Sequence, residues 1–158
     1  MKKTAKSLVD EAMAQVTTYT VEQARALHGH PGVQFVDIRD VRELEREGVI
    51  PGALHAPRGM LEFWVDPESP YHRDAFAQDK EYVLFCAAGW RSALATKTLM
   101  DMGLERVAHF DGGFTAWKEA GAPIADKAVK AEKAEKAEKA EKAEPAATAA
   151  KAGPRTGA

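Results

Sequence analysis

Three features of this 158-residue sequence predict an α/β domain, a mostly parallel central sheet with helices on both faces. Apolar runs rich in β-branched and aromatic residues occur at Val33–Asp37, Tyr82–Phe85 and Val107–Phe110, too short for helices and bounded by polar residues. Between the runs lie segments with helical spacing of apolar side chains. The two kinds alternate along the chain, as βα units do.

The elements follow in order. Residues 1–16 read as an N-terminal helical extension, with Leu8, Ala12 and Val16 four apart on one face. The opening MKKTA imitates a secretory signal, but Lys6, Asp10 and Glu11 interrupt the required apolar stretch, so a cytoplasmic location is expected. No run is long enough to span a bilayer, and no membrane partner is expected. In the body, residues 17–126, Val21–His28 and Val41–Glu47 read as helices on either side of the strand Val33–Asp37. Ile50–Ala53 is a turn into a short strand at Leu54–Ala56, and Met60–Val65 is one helical turn or two. The polar, proline-containing stretch Asp66–Asp79 reads as loop before the strand Tyr82–Phe85. Ser92–Met102 is a helix with Ala95, Leu99 and Met102 on one face and Gly103 closing it. After the strand Val107–Phe110 comes a helix, Phe114–Ala120, with Phe114 and Trp117 in the core and Gly121 and Pro123 ending it.

From residue 127 to 158 the composition changes to KAEKAE repeats and then PAATAAKAGPRTGA. Glu132–Lys136, Glu135–Lys139 and Glu138–Lys142 support a helix, but no apolar stripe would dock it. The segment therefore reads as a Lys/Ala/Glu tail, partly helical or disordered, serving as a solvated spacer. Charge follows the same division. Residues 1–126 carry 14 basic and 19 acidic side chains; residues 127–158 carry 8 and 5. Neither balance resembles the clustered basic face of a nucleic-acid binder, so no nucleic-acid partner is expected.

Cys86 is the chain's one cysteine, which excludes an internal disulfide, a two-thiol redox pair and a cysteine-rich zinc site. His28, His30, His55, His72 and His109 show no metal-ligand spacing, so no metal or other cofactor is expected and no histidine is assigned to catalysis. Cys86 ends the strand Tyr82–Phe85, and ligands of open parallel sheets bind at such ends. The loop Ala87-Ala88-Gly89-Trp90-Arg91 is small enough to curve tightly into the helix opened by Ser92. Such a loop turns successive N–H groups inward as an anion cradle, and Arg91 adds a charged planar fork. These features favour thiolate over thiol. A buried cysteine packed as a small apolar side chain is the competing reading of the same strand end.

Three blocks resolve the choice by resemblance. VDIRDVRELEREGVIPGALHAPRG resembles the opening signature of rhodanese-like domains, through Asp37, Arg39, Glu43, Gly48, Ile50, Pro51, Gly52 and Ala53. YVLFCAAGWRSALATKTLMDMG resembles the family's active-site strand, loop and helix, and VAHFDGGFTAWKEAGAPI its closing strand, double glycine and Trp-bearing helix. The blocks come in family order. One extra residue falls within Leu44–Glu47, and Val49 stands where histidine is common. Both departures are expected in a surface turn.

The resemblance implies a single-domain sulfurtransferase in which Cys86 takes sulfur from a small anionic donor such as thiosulfate as a persulfide. A thiophilic acceptor, cyanide in vitro, then removes it. It implies that N–H groups of Ala87, Ala88, Gly89, Trp90, Arg91 and Ser92 stabilise the sulfur and the leaving group, and that Arg91 holds the donor's oxyanion. It also implies a buried Asp37–Arg39 pair supporting the loop, for which a fold-stabilising role serves equally well. Arg58 follows a strand end on the same side and is a candidate for the pocket mouth. Trp90 either walls the pocket or shields the loop. A persulfide carrier docking to a donor or acceptor protein would use the same residues. A phosphatase on this fold would need five residues between Cys and Arg, and four separate Cys86 from Arg91.

Overall fold

The computed structural model describes residues 1–127. The Lys/Ala/Glu tail from residue 128 onward lies outside the described residues. The elements are α1 (Ala5–Met13), β1 (Thr17–Tyr19), α2 (Val21–Leu27), β2 (Val33–Asp37), α3 (Val41–Glu47), β3 (Leu54–His55), α4 (Leu61–Val65), β4 (Glu81–Phe85), α5 (Trp90–Asp101), β5 (Val107–Phe110) and α6 (Gly113–Glu119). Single turns of 3-10 helix at Arg58–Met60 and Asp74–Ala77 complete the set, the second within the stretch expected to be loop.

The strands form one sheet in the order β1-β5-β4-β2-β3, and every pairing is parallel. Alternation along the strands sends side chains to two cores. Val36, Tyr82, Leu84 and Val107 pack with Leu61 and Val65 of α4 and with Ala95 and Leu99 of α5. Phe35, Val83, Phe85 and Phe110 pack with Ala24 of α2 and with Phe114 and Trp117 of α6. The expected α/β sandwich is the observed one.

Local signals set the boundaries. Thr20 and Gln23 form a capping box on α2, and Asp40 and Glu43 form another on α3. Gly103, at φ +105°, closes α5 while Gly103 and Leu104 N–H groups return to the Met100 and Leu99 carbonyls.

Four expectations need correction. β1 was not anticipated: three residues, with Thr17 exposed and the other two half-buried, carry too little alternation to register, and the strand exists because β5 offers it an edge. α1 turns Val9 and Ala12 inward onto Ala93, leaving Leu8 exposed. Met102, the C-cap of α5, is exposed at the end of the helix rather than buried with Ala95 and Leu99. The departures near position 48 are not in a surface turn. The extra residue lies in α3, where Leu44 is buried, and buried Val49 pairs with Ala125 in an antiparallel bridge.

Candidate active site

The loop after β4 starts from a fixed point, since the Ile38 N–H donates to the Phe85 carbonyl at 3.0 Å. Cys86 follows, 1% exposed, packed in the core beneath α5. Its Sγ accepts from the Gly89 N–H at 3.2 Å and from the Ser92 N–H at 3.4 Å. The expected helix start at Ser92 moves back two residues: α5 begins at Trp90, with Gly89 as its N-cap at φ +117°. That backbone conformation favours glycine, and the tight turn it permits points the Gly89 N–H at the sulfur.

The carbonyls of the loop are held from the other side. Phe114 and Thr115 N–H groups at the start of α6 donate to the Cys86 and Ala87 carbonyls at 2.8 and 3.1 Å. A side chain at Gly113 would collide with the Cys86 carbonyl oxygen and the Ala87 backbone, so the second glycine of the Gly112-Gly113 pair is a requirement of close approach. The Cys86 and Ala87 carbonyls are thus held by α6, while the Gly89 and Ser92 N–H groups face the sulfur. Two such donors, together with the first turn of α5, stabilise negative charge there.

Two ion pairs flank the loop. Arg39 and Asp37 are each 1% exposed and joined by two side-chain hydrogen bonds of 2.7 and 2.9 Å. Arg39 also donates to the Gly48 carbonyl at 2.8 Å and lies 4.1 Å over the Phe114 ring. The pair ties the end of β2, the end of α3 and α6 together. The second pair joins Arg91 to Glu43 by bonds of 2.8 and 3.0 Å. The Arg91 guanidinium holds the Glu43 carboxyl below the usual glutamate range, against the opposing effect of burial. Glu43 in turn raises Arg91, with burial opposing and Cys86 adding to the rise.

The remaining expected residues are more scattered. Ala87 is half-buried and lines a cleft of about 650 Å³ between α3 and α6, shared with Arg39, Glu43, Phe114 and Lys118. Ala88 is exposed, and Trp90 is 55% exposed on the first turn of α5. Arg58 pairs with Glu62 one turn along, at 3.2 Å. Among the described residues, no group of His, Cys, Asp and Glu is placed to hold a metal ion.

Sequence reasoning passed over two residues that the structure brings to the loop. Glu43 was a motif position without a role, although its place three residues after Asp40 already marked it as the third residue of a helix whose side chain faces back. His109 reads in the sequence as a strand residue with no role. It is fully buried, with Nδ1 2.9 Å from Ser92 Oγ and Nε2 3.0 Å from Thr18 Oγ1. Burial pushes its pKa down and so favours the neutral ring, with Asp111 partly opposing the shift. A polar residue inside an apolar strand must find buried partners, and that was the available signal.

Comparison with known proteins matches residues 20–120 to the rhodanese-like domain. A protein named sulfurtransferase from Allochromatium vinosum is 35% identical over 92 residues, 58% of this chain and 78% of that one. A solved structure from Rhodopseudomonas palustris, described as a protein of unknown function and possible tyrosine phosphatase, is 53% identical with a TM-score of 0.78. The match covers 79% of this chain and 96% of that one. The polysulfide-sulfur transferase homodimer of Wolinella succinogenes is 31% identical with a TM-score of 0.59, over 77% of this chain and 86% of that one.

Proposed function

Because the chain belongs to the rhodanese-like domain family, we propose that it is a thiosulfate sulfurtransferase working through a persulfide on Cys86. The observation that carries this reading is the sulfur itself, buried at a strand end and accepting N–H bonds from Gly89 and Ser92. In the first half-reaction the Cys86 thiolate attacks the outer sulfur of thiosulfate. The S–S bond of the donor breaks, sulfite leaves with the electron pair, and a Cys86 persulfide anion remains. In the second, the carbon of cyanide attacks the terminal sulfur, thiocyanate leaves, and the thiolate is restored. The loop N–H groups bear the negative charge through both steps. Arg91 is the cation for the donor's oxyanion, exchanging its Glu43 partner for the substrate.

Thiosulfate treatment should add one sulfur atom to the intact mass, and cyanide should remove it. Cys86→Ser should gain nothing. An adduct persisting on Cys86→Ser would overturn the assignment of the nucleophile. No adduct on the wild type would exclude thiosulfate as the donor.

A second reading, a carrier that hands its persulfide to a docked protein, is favoured by the exposed indole of Trp90 beside the loop. Fast transfer from a protein persulfide alongside a very high KM for thiosulfate would select it. The phosphatase description of the R. palustris neighbour is not carried over, because four residues, Ala87–Trp90, separate Cys86 from Arg91. That loop offers the sulfur two N–H donors, a poor match to the three oxygens of a phosphoryl group.

A further inference from the structure

We propose that His109 is a positioning residue for Cys86, acting through the Ser92 hydroxyl to hold both N–H groups that donate to the sulfur. Ser92 Oγ lies 2.9 Å from His109 Nδ1 and 3.2 Å from the Gly89 carbonyl oxygen. Ser92 and Gly89 are the two residues whose N–H groups reach Cys86 Sγ. One hydroxyl thus joins the two donors across the first turn of α5, and His109 fixes where that hydroxyl sits.

On the Nδ1–H tautomer every proton has a partner, the Thr18 hydroxyl taking Nε2 at 3.0 Å in preference to Met13 Sδ at 3.8 Å. The Ser92 hydroxyl donates to the Gly89 carbonyl, so its oxygen is free to accept from His109 Nδ1–H. Nε2 then accepts from the Thr18 hydroxyl at 3.0 Å. The chain Thr18–His109–Ser92–Gly89 runs from the edge strand β1 through β5 into the loop, with every member satisfied.

Packing alone does not account for the residue. A fully buried imidazole forfeits its hydration and recovers it through hydrogen bonds on both sides. An apolar side chain would fill the same space, flanked by Ala108 and Phe110 in an otherwise apolar strand, without that requirement. What the imidazole adds is a donor at a fixed place. Small displacements of a catalytic group are costly, because the N–H donors must meet the charge where it develops.

The proposal rests on sulfur transfer at Cys86, and its test separates the two. His109→Leu should lower kcat with thiosulfate and cyanide about 10- to 100-fold while the KM for thiosulfate changes less than about threefold. His109→Asn, whose amide can stand where Nδ1 stands, should recover activity to within about threefold of wild type. Ser92→Ala should reproduce the loss, and the double variant should lose no more than either alone. In amide NMR spectra, the Gly89 and Ser92 N–H signals should move together in His109→Leu and return in His109→Asn. A folded His109→Leu with kcat within threefold of wild type overturns the proposal, as does Ser92→Ala at wild-type activity, which decides the matter if His109→Leu fails to fold. If the wild type moves no sulfur, the reaction is wrong and the NMR signals alone judge His109. Unmoved Gly89 and Ser92 signals would then overturn it.

Discussion

The two ion pairs beside the loop use the same chemistry in opposite surroundings. Asp37–Arg39 has side chains 2% and 1% exposed, while in Glu43–Arg91 they are 20% and 42% exposed. The buried pair has no exchangeable partner. Its guanidinium is committed to Asp37, to the Gly48 carbonyl and to the Phe114 ring, all parts of the protein. The outer pair is held by two hydrogen bonds that water or an anion can replace. One pair is therefore a fixture of the scaffold, and the other leaves Arg91 with an exchangeable partner, as its proposed role in donor binding requires.

Breaking the inner pair should produce the largest effect on stability. Arg39→Ala leaves Asp37 charged and buried and the Gly48 carbonyl without its donor, which should cost about 3–5 kcal/mol in urea unfolding. Replacing both partners, as Asp37→Leu with Arg39→Met, should cost clearly less than Arg39→Ala alone, since no buried charge remains. A double replacement as damaging as the single one would mean that the Gly48 contact, and not the ion pair, holds the region.

The outer pair should behave in reverse. Arg91→Ala should change stability by less than about 1 kcal/mol, as expected of a partly exposed ion pair. It should raise the KM for thiosulfate about tenfold, measured in steady state with cyanide. Equal KM values would remove Arg91 from donor binding and leave the loop N–H groups to hold the anion alone. Arg91→Lys should recover part of the loss, because lysine keeps the charge but not the planar fork.

The same contrast explains what could be read in the sequence. β2, β4 and β5 were legible because each is largely buried and so is dominated by branched and aromatic apolar residues. β1 was not, because its existence depends on the edge of β5, to which it is bound through residues 91 positions apart. Cys86 and its loop were legible as a local pattern of small residues before a helix. The Asp37–Arg39 pair came through the family motif, with no local signal of its burial. The Glu43–Arg91 pair spans 48 positions and the Ser92–His109 contact 17, across a strand and a helix. Such partners become visible when the sheet order is known, since β4 brings the loop between β2 and β5. Gly113 is a similar case. Its place in a double glycine was evident, but the reason is the Cys86 carbonyl pressed against it.

The smallest effect lies in the pH dependence of the outer pair. Arg91 holds the folded-state pKa of Glu43 below its ordinary value, so the unfolded chain binds the proton more readily than the folded one. The contribution to stability is then fully present above the unfolded value of about 4.3 and is lost as pH falls through the lower folded value. Arg91 is partly exposed, so solvent and salt reduce the amount to below about 1 kcal/mol. Glu43→Gln should remove that part of the acid-limb slope in urea unfolding by lowering neutral stability by the same amount, below about 1 kcal/mol, while stability at acid pH stays as in wild type. The same variant sharpens the functional comparison. With its carboxylate partner gone, Arg91 no longer has to give up an ion pair to meet the donor, so the KM for thiosulfate at neutral pH should fall about two- to fivefold. A KM that rises instead would mean that Glu43 positions Arg91 for the donor rather than competing for it. The outer pair would then be part of the fixed scaffold like the inner one, and the contrast between them would be one of exposure alone.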